Sequence, residues 1–212
     1  CGGIILPNPN APTSRLLALP EIEQLCRQTD AVVIIDEAYI DFGGTSAIPL
    51  TRNFDNLLVI HTFSKSRSLA GLRLGYAVGH QDLIEGLNRV KNSFNSYPVD
   101  SLAQAAAIAS IEDDDYFATG CKNIIATREV LTDGLKRHGF NVLPSAANFI
   151  FASHPQYSAS NLYQDLKANG ILVRYFNKPG IENWLRITIG TNAETAQLLK
   201  VLGQLLANGN HG

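Results

Sequence analysis

The chain has 212 residues, 45% apolar and 17% charged, enough to bury a core in one large domain or two unequal ones and too apolar for a disordered chain. Seventeen basic against nineteen acidic side chains give a net charge of −2, which excludes a general nucleic-acid binder, and no apolar run approaches the roughly 18 residues of a membrane span. Three cysteines (Cys1, Cys26, Cys121), odd in number and without a CxxC pair, fit reduced thiols in the cytoplasm better than a disulfide frame or a zinc site, so no metal is expected. The chain has no Met and opens at Cys1 inside an apolar run, so the expectation is a fragment of a longer gene product.

Strands and helices alternate along most of the length, which predicts an α/β design. Ile4 to Leu6 reads as a short strand, stopped by a segment (Pro7 to Pro12) whose prolines exclude a helix. Pro20 suits a first helical turn, with Ile22, Leu25 and Cys26 following at helical spacing. Ala31 to Ile35 is a continuous, mostly β-branched run, the mark of a strand covered on both faces, and it ends in Asp36-Glu37. Leu57 to Ile60 is a second buried-type strand, ending in His61-Thr62-Phe63-Ser64-Lys65, and Gly75 to Gly79 a third. Helical periods cover 81–92 and 102–110.

From about Asp113 the texture changes. Ile124, Ile125, Arg128, Leu131 and Leu135 mark one face of a long helix. Strands are expected at Phe149 to Phe151, Ile171 to Arg174 and Trp184 to Ile189, with helices over 160–169 and 193–206. The expected organisation is therefore a first unit over 1–112 and a smaller α+β unit over 113–212 that includes the linking helix.

Ligands of open parallel sheets bind beyond the carboxyl ends of the strands, where both polar clusters fall. Asp36 is either a turn or cap residue or a carboxylate facing a cationic ring nitrogen. Lys65, directly after a buried strand, is either a solvated loop residue or a Schiff-base amine whose pKa the like charges of Arg67 and Arg73 push down. Ser64, Ser66 and Arg73 can donate to a phosphate. Asn8 to Ser14 is a rigid turn holding amides in place. Arg174 and Arg186 lie in strand-like runs, where a cation is costly without an anion; a structural ion pair or a ligand would serve equally.

The order and spacing of Asn8 to Ser14, Ile35-Asp36-Glu37-Ala38-Tyr39, Thr62 to Tyr76, Asn148-Phe149 and Leu185 to Gly190 resemble the fold-type I pyridoxal-phosphate aminotransferases, and most closely their histidinol-phosphate subfamily. The resemblance implies part of the large domain, a mostly parallel sheet with helices on both faces, followed by a smaller α+β C-terminal domain. It implies pyridoxal 5'-phosphate bound covalently by Lys65, which then shuttles the substrate proton; Asp36 on the pyridine nitrogen; Tyr39 on the phenolic oxygen; and Ser64, Arg73 and more weakly Thr62 on the phosphate. Arg186 and Arg174 are assigned the carboxylate of glutamate or the phosphate of histidinol phosphate, a 2-oxo acid is the amino acceptor, and a homodimer is expected.

Three departures stand out. Ala11 occupies the place where the family carries an asparagine that contacts the ring oxygen, leaving Asn10 as the substitute, and Ser14 stands where the family has glycine. The chain also resembles only the C-terminal part of longer family members. Another aminotransferase, a phosphothreonine decarboxylase, or a non-catalytic cofactor-binding domain would keep much of the same residue set.

Overall fold

The computed structural model describes residues 2–208, which separate into two compact units. The first comprises the chain up to Ala11 together with Leu16–Cys121; the second comprises Pro12–Arg15 and the chain from Lys122 onward. The units therefore meet inside a helix, not at 112/113, and a four-residue piece of the N-terminal turn belongs with the second unit. The physical reason is Ser14, fully buried, whose hydroxyl donates to the Thr13 and Pro144 carbonyls and whose own carbonyl accepts from the Ala146 N–H at 3.0 Å.

The first unit is built on a four-stranded sheet in the order β1 (Gly3–Pro7), β2 (Val32–Asp36), β3 (Leu57–Thr62), β4 (Gly75–Gly79). The first three strands are parallel and β4 is antiparallel to β3, so the sheet is mostly parallel as the resemblance implies. Helix α1 (Leu19–Arg27) starts at the expected proline, and the Glu21 carboxylate reaches back to the Ala18 N–H at 2.8 Å. Its Ile22 and Cys26 pack on Val33 and Ile35 of β2 and Leu57 and Val59 of β3, all essentially without solvent contact. Each such aliphatic side chain contributes about 1.5–3 kcal/mol by leaving water. The opposite face of β2, Val32 and Ile34, is only half-buried.

Helices α2 (Gln81–Phe94) and α3 (Ser101–Glu112) follow, α3 capped by Asp100, which accepts the Ala103 N–H at 2.9 Å. No residue of α2 is buried, and Val90 and Phe94 stand in solvent. Helix α4 (Asp114–Arg137) begins in the first unit and ends in the second.

The second unit has its own antiparallel sheet, ordered β5 (Asn141–Val142), β6 (Phe149–Ser153), β8 (Leu185–Thr188), β7 (Arg174–Tyr175). Ile150, Ala152, Leu185 and Ile187 face a core completed by Leu131 and Leu135 of α4, Leu162 and Leu166 of α5 (Ala159–Ala168), and Leu198 and Leu202 of α6 (Asn192–Asn208). Thr191 and Glu194 form a capping box at the start of α6: the Thr191 N–H donates to the Glu194 carboxylate at 2.7 Å, and the Glu194 N–H donates to the Thr191 hydroxyl at 3.2 Å. The Thr191 N–H and hydroxyl, both donating to the carboxylate, hold the Glu194 carboxyl below its ordinary pKa. The strand expected at Ile171 to Arg174 is shorter: Ile171 and Val173 pack against the core, and only Arg174 and Tyr175 pair with β8.

Candidate active site

In the first unit the site residues gather where β2 and β3 end side by side, Asp36 being the register partner of both Pro7 on β1 and Ile60 on β3. The half-buried Asp36 accepts the Ala38 N–H on Oδ1 at 3.0 Å, and this turn leads to Tyr39 and the 3₁₀ turn Ile40–Phe42. Ile40 and Phe42 are buried and anchor the turn. Asn10 is half-buried on the turn after β1. Its neighbour Asn8 is buried and structural, bonding both the N–H and the C=O of Leu17 through its side-chain amide.

Beyond β3 the chain makes a tight loop. The Thr62 hydroxyl accepts the Ser64 N–H at 3.1 Å, the Leu74 carbonyl accepts the Phe63 N–H, and the Lys65 carbonyl accepts the Ser68 N–H at 3.0 Å. Ser68 and Arg73 both hold left-handed backbone, φ +58° and +54°, which costs of order 1 kcal/mol each and concentrates at functional loops. Gly75 closes the loop because a Cβ there would meet the His61 carbonyl at 2.7 Å. Lys65 is exposed, with Nζ 5.2 Å from the centre of the Tyr39 ring, so an amine and a phenol from neighbouring strand ends share one place.

Arg67, expected to act as a like charge on Lys65, instead commits its guanidinium to the α3–α4 junction. It stacks 3.7 Å from the centre of Phe117, donates to the Ser110 carbonyl and lies 4.0 Å from the Asp114 carboxylate. Ser66, a candidate phosphate donor, donates its hydroxyl to Asp41. Arg73 is exposed and donates to the Ala70 carbonyl at 2.8 Å within its own loop. A cavity of about 280 Å³ opens beside the loop, lined by Asp41, His61, Thr62, Phe63, Arg67 and Tyr76 among others.

In the second unit Arg186 lies on β8 between Phe151 of β6 and Arg174 of β7, each its direct register partner. Two like charges directly opposite one another destabilise a sheet. The Arg186 Nε is buried and has no hydrogen-bond partner, while its guanidinium sits 5.1 Å and 5.9 Å from the rings of Phe149 and Phe176. Arg174 is exposed, 5.6 Å from Phe176, and Trp184 stacks on Phe151. An arginine pair carrying an unmet donor on an aromatic floor is an arrangement that an anion would satisfy. The Asn8 to Ser14 turn also explains one departure: Ser14 adopts φ +61°, the backbone glycine takes most easily.

Residues missed by the sequence reading are Glu37, His61 and Tyr76. Glu37 is 1% exposed and accepts from the Ser46 hydroxyl, the Ala47 N–H at 2.6 Å and His61 Nε2 at 2.7 Å, while His61 Nδ1 lies 3.1 Å from the Tyr76 hydroxyl. No local signal in the sequence marks them: Glu37 and His61 come together through the strand register, in which Asp36 pairs with Ile60 and the next residue on each strand is Glu37 and His61.

Residues 1–202 match the model of the family described as aminotransferase class I and II. The chain is 57% identical over 210 residues to histidinol-phosphate aminotransferase 1 of Hydrogenovibrio crunogenus, covering 99% of this chain and 59% of that one. It is 58% identical over 205 residues to histidinol-phosphate aminotransferase 2 of Dechloromonas aromatica, covering 96% and 58%. The crystal structure of the Sinorhizobium meliloti histidinol-phosphate aminotransferase in complex with pyridoxal-5'-phosphate superposes with a TM-score of 0.86 over 98% of this chain and 58% of that one, a likeness of fold at 24% identity. The chain thus spans a little under three-fifths of the length of these relatives.

Proposed function

Because the chain belongs to the class I and II aminotransferases, we propose that it holds pyridoxal 5'-phosphate and moves an amino group between histidinol phosphate, or a related phosphorylated amine, and 2-oxoglutarate, a step of histidine biosynthesis. The observation that carries this reading is Lys65 Nζ over the ring of Tyr39, three residues beyond the Asp36 carboxylate. That donor set fits the cofactor: an amine for its aldehyde, a carboxylate for its ring nitrogen, a phenol for its ring oxygen, and Ser64 and Arg73 for its phosphate, with Thr62 and Asn10 in support. When bound, the cofactor supplies an electron sink for the carbon that loses its proton.

The remaining chemistry belongs to the chain. Lys65 Nζ would anchor the cofactor and, as a free amine, would take the proton from the substrate carbon. Asp36 holds the proton on the ring nitrogen, and its half-buried setting strengthens that pairing. Arg186 and Arg174 bind the substrate's anionic groups, and two guanidinium groups suit a doubly charged phosphate better than one carboxylate. Ala11 offers no ring contact, a role the reading gives to Asn10. The reading includes a homodimer acting in the cytoplasm; the buried free thiols Cys26 and Cys121 fit a reducing compartment.

The test is absorbance on addition of pyridoxal phosphate. A visible band that disappears in Lys65→Ala is the expected result, and equal bands in both proteins would overturn the assignment of Lys65. Turnover then divides the chemistry: amino transfer needs a 2-oxo acid acceptor, whereas release of CO₂ without one would replace the aminotransferase by a decarboxylase.

A further inference from the structure

Glu37 follows directly after Asp36, yet its side chain is fully enclosed and engaged with Ser46, Ala47 and His61. A carboxylate only accepts, so His61 donates to Glu37 from Nε2, and in the neutral ring this leaves Nδ1 as the acceptor. Nδ1 is 3.1 Å from the Tyr76 hydroxyl, which in that tautomer donates to it. Burial, Asp41 and Glu37 all push the Tyr76 phenol up, against an opposing effect of Arg67, so the hydroxyl keeps its proton. His61 and Tyr76 are also register partners across β3 and β4, with ring centres 5.1 Å apart.

One side-chain chain thus crosses β2, β3 and β4 at the ends from which the candidate site springs. Asp36 precedes Glu37 and Tyr39 comes two residues after it; Thr62, Ser64 and Lys65 follow His61; Arg73 lies three residues before Tyr76. The last register pair between β3 and β4 is Thr62 with Gly75; one further bond, from the Phe63 N–H to the Leu74 carbonyl, extends the pairing, and the chain past it lacks the restraint of a sheet ladder. Strand ends that lack such restraint open locally and often. We infer that Glu37, His61 and Tyr76 form a lock that fixes the three strand ends relative to one another and so sets the position of Asp36, Tyr39, Lys65 and Arg73. These three are positioning residues, and the inference rests on the functional reading above only for the naming of the side chains being positioned.

The experiment uses the full chain without cofactor. Ring ¹⁵N shifts of His61 should show Nε2 protonated and Nδ1 accepting, and Tyr76→Phe should remove the accepting shift. Amide hydrogen exchange should rise tenfold or more over 36–39 and 64–68 in His61→Leu, with the α5 amides unmoved. His61→Gln, whose amide can donate to Glu37 and accept from Tyr76, should restore most of the protection. Tyr76→Phe, at a half-exposed position that does not threaten folding, should loosen 64–68 and leave 36–39 as they were. Unchanged exchange in both variants, or a His61 that carries its proton on Nδ1, would overturn the lock. With pyridoxal phosphate added, His61→Leu should take it up at least tenfold more weakly, while Ile22→Val, a mild core variant of the same unit, should bind as the wild type does. Wild-type affinity in a loosened His61→Leu would overturn the positioning role. Failure of the wild type to take up the cofactor would instead sink the functional reading, and the exchange data would still decide the lock.

Discussion

Replacing Glu37 by leucine removes the acceptor of three hydrogen bonds at a site with 1% exposure. Bonds to a charged acceptor contribute about 1.5–3 kcal/mol each, but the carboxylate's own desolvation cost is recovered when it leaves. What stays behind is the Ala47 N–H, enclosed and without its acceptor, at about 1–3 kcal/mol, and a histidine whose partner has gone. The net loss expected is about 3–5 kcal/mol, the range for breaking one side of a buried pair. That is a large part of the 5–15 kcal/mol typical of a folded domain. Glu37→Gln keeps the Ala47 bond and turns its NH₂ toward His61, which reverses the imidazole tautomer, and should cost only about 1–2 kcal/mol. Urea unfolding followed by far-ultraviolet circular dichroism measures both, with slopes compared to confirm a common unfolded state. A loss under about 1 kcal/mol for Glu37→Leu would refute the reasoning, because it would mean that the carboxylate is not the hub the geometry makes it.

His154 donates from Nε2 to the His138 carbonyl and accepts the Gln156 N–H on Nδ1, so it is held neutral, and burial pushes its pKa down. The unfolded chain then binds the proton first, and stability is complete above the ordinary value of about 6.5 and lost as pH falls below it. The melting temperature should drop between pH 7 and pH 5, less steeply in His154→Asn; equal slopes would remove His154 as the cause. Arg186→Leu removes one of two facing cations and an unmet buried donor, so the melting temperature should hold or rise by the equivalent of about 0.2–1 kcal/mol while binding of histidinol phosphate is lost. Calorimetry checks both, and a marked drop in melting temperature with binding retained would contradict the anion role. Leu166→Ala, at a site with no exposure in the second core, should cost about 2–5 kcal/mol in urea unfolding.

What could be read from the sequence was what is local. The β-branched run before Asp36 made β2 certain because such a run has few other ways to be buried, and Pro20 marked a helix start by its own chemistry. The roles of Asp36, Tyr39 and Lys65 rested on their order along the chain, and Lys65 does lie over the Tyr39 ring. Long-range pairings were not legible. Glu37 meets His61 across 24 residues and Ser14 meets Pro144 across 130, and no local period announces either. The apolar stretch Ile171 to Val173 looked like a strand because burial and pairing favour the same residues; here Ile171 and Val173 pack on the core without pairing, while Leu172 stands in solvent. Arg67 misled for a related reason: closeness in sequence to Lys65 says nothing of the aromatic ring and carbonyl that hold its guanidinium.

Seven lysines compete for an aldehyde in this chain, and among the described residues only Lys65 stands over a tyrosine at the end of a buried strand. Borohydride reduction of the protein mixed with pyridoxal phosphate, followed by peptide mapping, should find the pyridoxyl group on the peptide containing Lys65 at substoichiometric cofactor. A label spread evenly over Lys91, Lys122, Lys136, Lys167, Lys178 and Lys200 as well would contradict it.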